Sequence, residues 1–169
     1  ECASPKCVSG CPVGVKIHEF VELICQGDFL AAAAKLREDN ALPAITAPAG
    51  WTRVVQTDNG TALRQAVYWK KAGASEPASY RWTFSSSRAA VAQLVAYKGL
   101  SATAPVRAFA GKVNASSATS TAPAVAAAAG DRVLTVFGTA RTGAITPMTG
   151  LIERTEATVT TGTTLTAET

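Results

Sequence analysis

The sequence predicts a mainly β protein: an antiparallel β-sandwich preceded by a short α-helical hairpin. Three observations carry this expectation. Apolar residues recur at helical spacing only before about residue 44. Beyond it Thr, Ser, Val, Ala and Gly dominate, in short alternating runs broken by turn residues. All four cysteines, Cys2, Cys7, Cys11 and Cys25, fall on the helical side of that change. The chain therefore divides into a cysteine-containing helical segment, residues 1–46, and a β-sandwich domain, residues 47–169.

In the first segment Pro5, Gly10, Pro12 and Gly14 break any regular element up to about residue 13. Ile17, Phe20, Val21 and Ile24 then make one apolar helical face. Gly27 can end that helix, and Asp28 is placed to cap a second one running through Phe29, Ala33 and Leu36 toward Asn40. Leu42-Pro43 closes the hairpin.

In the second segment residues 52–57 and 62–69 read as strands joined through Asp58-Asn59-Gly60, where Asn-Gly favours the positive φ angles of a tight hairpin. Tyr80, Trp82 and Phe84 alternate with polar residues, so an aromatic face is expected. Residues 90–97, 132–137, 151–155 and 163–167 are further strand candidates. Residues 114–129 are low in complexity and read as a surface loop or a weak edge strand. Seven or so short strands at these spacings suggest a sandwich.

An internal repeat is also expected. Ala44-Ile45-Thr46 recurs as Ala144-Ile145-Thr146, and Gly50-Trp51 has its counterpart in Gly150-Leu151. Arg53 corresponds to Arg154, and Gly60-Thr61-Ala62-Leu63 to Gly162-Thr163-Thr164-Leu165. Placed on this repeat, the β domain lacks opening and closing strands. Exposed sheet edges follow unless something covers them. Self-association or neighbouring chains at those edges are the expected partners.

The bulk numbers exclude some classes. The net charge is +4, but the cations are scattered, with Lys70-Lys71 the only adjacent pair, so no nucleic-acid stripe is present. No window approaches the roughly 18 apolar residues of a membrane span. No secretory leader is read at the N-terminus, where Cys2 stands in place of a basic region. His18 is the single histidine, so a His-based metal site or a Ser-His-Asp arrangement has no second imidazole. Trp51, Trp69 and Trp82 suit core packing better than sugar stacking.

The sharpest motif is Cys2-x4-Cys7-x3-Cys11-Pro12. A short irregular loop that gathers thiolates, with Pro after a cysteine, suits an iron–sulfur site. The surrounding residues carry a resemblance. Pro5-Lys6-Cys7-Val8-Ser9-Gly10-Cys11-Pro12-Val13-Gly14, then Gly27-Asp28-Phe29 and Glu38-Asp39-Asn40-Ala41-Leu42-Pro43-Ala44, resemble the N-terminal iron–sulfur domain of the glutamate synthase small subunit and dihydropyrimidine dehydrogenase. That family binds two [4Fe–4S] clusters that pass electrons between flavins, and the resemblance implies that Cys2, Cys7 and Cys11 match cluster ligands. The chain departs from the family pattern after residue 44, where further ligands stand in the family and Thr46-Ala47-Pro48-Ala49-Gly50 stands here. Three matched ligands do not complete two clusters. The expected cofactor complement is none; the alternative is one [4Fe–4S] cluster completed by Cys25 or by an outside ligand.

Residues 44–169 resemble, more loosely, repeated sandwich domains of large secreted bacterial proteins. The carrying residues are Ile45-Thr46-Ala47-Pro48-Ala49-Gly50-Trp51, Trp82-Thr83-Phe84 and Ala96-Tyr97-Lys98-Gly99. This implies a non-enzymatic structural or adhesive role at an extracellular or particle surface. The alternative function is electron transfer through the N-terminal segment. Two such halves in one chain also fit a natural or engineered chimera.

Overall fold

A computed structural model describes residues 16–141, 143–159 and 163–168. The chain divides into two compact units, Glu1–Leu42 and Pro43–Thr169.

Among the described residues the first unit contains two helices, α1 (Ile17–Cys25) and α2 (Phe29–Asn40). Backbone N–H groups of Gln26, Gly27 and Asp28 close α1 onto Glu22, Ile24 and Leu23. Gly27 takes φ +79°, which a β-carbon would disfavour. The Asp28 carboxylate accepts from Ala31 N at 2.9 Å and so caps α2. Ala32 is 3% exposed, while Phe29 and Leu30, at the start of the same helix, are 68% and 86% exposed. The apolar stripe of α1 is only partly covered: Val21 and Ile24 remain exposed.

The second unit contains seven strands, all antiparallel, in three small sheets among the described residues. They are β1 (Ile45–Thr46), β2 (Thr52–Asn59), β3 (Leu63–Trp69), β4 (Thr83–Phe84), β5 (Thr135–Thr139), β6 (Glu153–Val159) and β7 (Thr163–Glu168). β1 pairs with β4, β2 with β3, and the third sheet has the order β5-β7-β6.

The hairpin of β2 and β3 differs in detail from the sequence expectation. Asp58 and Asn59 belong to the ladder, opposite Arg64 and Leu63. The loop is therefore Gly60-Thr61-Ala62, and only Gly60 takes a positive φ, +54°. A three-residue loop needs one left-handed residue, whereas the tightest Asn-Gly turn needs two.

Other strands are shorter or displaced. The aromatic run at residues 80–84 forms a ladder only at Thr83 and Phe84. The strand expected at 132–137 lies at Thr135–Thr139, leaving Val133 and Leu134 exposed. Residues 114–129 form a loop held by Asn114, whose amide donates to Ser120 Oγ and Thr121 O and accepts from Thr121 N. Residues 90–97 keep strand-like alternation of exposure but join no ladder among the described residues.

The two stretches matched in the sequence, residues 44–51 and 144–151, each contain a turn. Trp51 N donates to Pro48 O and Leu151 N to Met148 O, with Gly50 and Gly150 at φ +84° and +88°. Strands β2 and β6 follow. The copies differ upstream: Ile45-Thr46 is a strand and Ile145-Thr146 is not.

Burial is shallow. Ala32 and Pro43 are the buried residues among those whose side chains are described. The β unit is held instead by half-buried aromatic rings. Trp51 meets Tyr80 at 5.1 Å and Trp82 at 5.5 Å between ring centroids, and Tyr68 meets Trp82 at 4.6 Å. All three contacts are edge-on, the arrangement that ring quadrupoles favour.

Candidate functional site

Cys2, Cys7 and Cys11 lie outside the described residues. The structure describes the hairpin that follows them. Glu19, in the first turn of α1, gathers three basic side chains of that unit. Its carboxylate lies 2.8 Å from Lys35 Nζ on α2, 3.3 Å from Lys16 Nζ and 3.9 Å from His18 Nε2. Lys35 also approaches Glu38 at 3.6 Å. The Lys35 hydrogen bond, then that of Lys16 and the charges of both lysines, hold the Glu19 carboxyl below the usual range, against an opposing effect of desolvation. The contact ties the start of α1, whose first residue stands six positions beyond Cys11 in the sequence, to the middle of α2.

Cys25 is the last residue of α1; it is exposed and not in a disulfide. His18 projects to solvent with 46% of its side chain exposed. No group of three or more His, Cys, Asp or Glu residues suited to a metal ion occurs among the described residues.

Thiolates are the right donors for iron–sulfur clusters. Cys2, Cys7 and Cys11 would fill three of the four positions of one cubane cluster, so the donor set fits a single cluster and not two. Ile17 and Cys25 are about 12 Å apart along α1, and the chain from Cys11 to Ile17 spans at most about 20 Å. Chain length thus leaves Cys25 within reach as the fourth donor.

The β unit contains a polar cluster that sequence reasoning missed. Glu76 accepts from Gly73 N, Lys70 Nζ and Tyr80 OH, and Lys70 Nζ also lies 3.1 Å from Tyr80 OH. The Lys70 hydrogen bond, followed by that from Gly73, keeps the Glu76 carboxyl below its ordinary value. The cluster pins the loop after β3 against Tyr80. Its members are separated by a loop whose path no periodicity reveals. Trp51 and Trp82 lie in the aromatic contacts described above, consistent with packing.

Residues 1–55 match the family model described as dihydropyrimidine dehydrogenase domain II, 4Fe-4S cluster. The match takes 55 of the 169 residues and contains all four cysteines. It runs beyond residue 44, after which the chain departs from the family pattern, through β1 and into β2. No curated protein and no solved structure matches the chain. The expected likeness of residues 44–169 to secreted sandwich domains finds no support in these comparisons. The N-terminal region is thus similar to an iron–sulfur domain.

Proposed function

We propose that the N-terminal region serves electron transfer, holding one [4Fe–4S] cluster through Cys2, Cys7 and Cys11. The observation that carries this reading is the family match over residues 1–55, which contains the cysteine loop and both helices. When bound, such a cluster supplies one-electron transfer. The residues of this chain have separate tasks. Cys2, Cys7 and Cys11 would hold the cluster as thiolates. Glu19 and Lys35 brace the helical hairpin that follows the cysteines in the sequence. A fourth ligand comes from Cys25 or from outside the chain.

The test is a variant in which Cys2, Cys7 and Cys11 are all replaced by Ser, prepared anaerobically beside the parent chain. The parent is expected to be brown with broad absorbance near 400 nm, and the variant colourless. A parent that is colourless and iron-free after anaerobic reconstitution would falsify the proposal.

A second reading concerns the β unit. We infer a non-enzymatic assembly role, in which partner strands complete its sheets toward a sandwich. Favouring this is the stretch at residues 90–97, strand-like in its exposure pattern and without a ladder among the described residues. The surface location implied by the resemblance of residues 44–169 to secreted sandwich domains belongs to this second reading alone. No helix among the described residues is long and apolar enough to cross a membrane.

A further inference from the structure

Residues 91–97 read Val-Ala-Gln-Leu-Val-Ala-Tyr. Their exposure alternates: Val91, Gln93, Val95 and Tyr97 are half-buried, and Ala92, Leu94 and Ala96 are exposed. The inward face is anchored. Gln93 Nε2 donates to Thr155 Oγ1 on β6 at 3.2 Å, and the Arg132 guanidinium lies 5.1 Å from the Tyr97 ring centre. The outward face is not covered, and Leu94 is 66% exposed. No backbone–backbone hydrogen bond reaches these residues among those described. An extended, apolar, unladdered segment fixed along one face is an acceptor for a further strand.

The sequence of the segment indicates which strand. Set antiparallel to a second copy of itself about Leu94, it places Leu94 on Leu94, Ala92 on Ala96, Val91 on Tyr97 and Gln93 on Val95. Inward residues then meet inward residues, and small meets small on the outer face. No charged residue lies between Ala89 and Tyr97. The flanking cations meet neutral partners, Lys98 on Ala90 and Arg88 on Leu100, with the two Lys98 residues about 27 Å apart. A parallel in-register pairing would instead stack Lys98 on Lys98 and Arg88 on Arg88, and like charges opposite one another are unfavourable. A twofold axis through Leu94 gives a closed pairing in which both copies use the same surface.

We propose that residues 91–97 form an antiparallel strand pair with the same residues of a second copy of this chain, centred on Leu94. This rests on the assembly reading of the β unit and names its partner. It is independent of the iron–sulfur reading.

The experiment is sedimentation of the full chain over a concentration series, with hydrogen exchange of the same samples. Dimer is expected, and amides at 91–97 gain protection as dimer accumulates. Two double variants test the register. Ala92→Lys with Ala96→Lys places lysine opposite lysine twice. Ala92→Lys with Ala96→Glu places lysine opposite glutamate at the same positions. The first is expected to dimerise roughly tenfold more weakly than the second. A dimer protected elsewhere, or equal affinities for the two variants, overturns the pairing. A monomer whose 91–97 amides exchange freely overturns self-pairing and leaves the assembly reading standing. A monomer with those amides protected at every concentration overturns both, because the segment is then satisfied within its own chain.

Discussion

Replacing Arg64 tests how the β unit is tied to its entering chain. Arg64 faces Asp58 across the β2–β3 ladder and grips it with two hydrogen bonds, Nε to Oδ1 at 2.8 Å and Nη2 to Oδ2 at 2.7 Å. Its third nitrogen donates to Pro43 O at 2.7 Å, at the first residue of the unit. Asp58 is about a third exposed, so solvent screens the ion pair, and a cross-strand contribution of about 0.5 kcal/mol is appropriate. The bond to the Pro43 carbonyl adds about 1 kcal/mol. Arg64→Ala should therefore destabilise the unit by about 1–2 kcal/mol, which lowers a urea midpoint by about 0.5–1 M. Arg64→Lys cannot hold both partners and should lose about 1 kcal/mol.

All three tryptophans, Trp51, Trp69 and Trp82, lie in the β unit, so their fluorescence follows that unit without reporting the helices. The Arg64 hydrogen bond, then its charge, the Gln56 amide and the Arg53 charge, hold the Asp58 carboxyl below its ordinary value. A depressed carboxyl stabilises the fold above its unfolded pKa and loses that contribution as pH falls through the native pKa. The Arg64 effect should thus be full at neutral pH and shrink below about pH 4. Two results would refute this reasoning: an unchanged midpoint in Arg64→Ala, or an effect that grows on acidification.

Two more substitutions probe other elements. Asp28→Ala removes the cap of α2 and should cost about 1 kcal/mol of hairpin stability, read as lost helical circular dichroism in thermal melts. Gly111→Ala would bring a β-carbon to 2.5 Å from Thr57 Oγ1 and 3.0 Å from Val55 Cγ2 on β2, so it should destabilise the β unit by about 1–3 kcal/mol. Adding Thr57→Ala removes the closer atom and should recover part of that loss, measured by the same fluorescence titration.

The helical hairpin was legible because local chemistry sets it: apolar spacing in α1, Asp28 at the cap, Gly27 at the turn. The β2–β3 hairpin was legible for the same reason, although Asp58 and Asn59 belong to the ladder. The assembly of strands was less so. Residues 90–97 have strand alternation in the sequence and strand alternation of exposure, but alternation does not specify a ladder partner. Val133 and Leu134 are apolar yet precede β5, because register is chosen by the pairing of Thr135–Thr139 with β7. The Lys70–Glu76–Tyr80 cluster depends on a loop path that leaves no periodic trace. The cysteine spacing and the family resemblance point to thiolate chemistry, whereas the number of clusters depends on a fourth donor that spacing does not identify.

The most direct measurement is the iron and acid-labile sulfide content of the anaerobically purified, reconstituted chain, taken with its absorbance near 400 nm. The account predicts about four irons and four sulfides per chain, the content of one cubane cluster. Iron and sulfide near zero, in a chain whose helices are folded by circular dichroism, would contradict it.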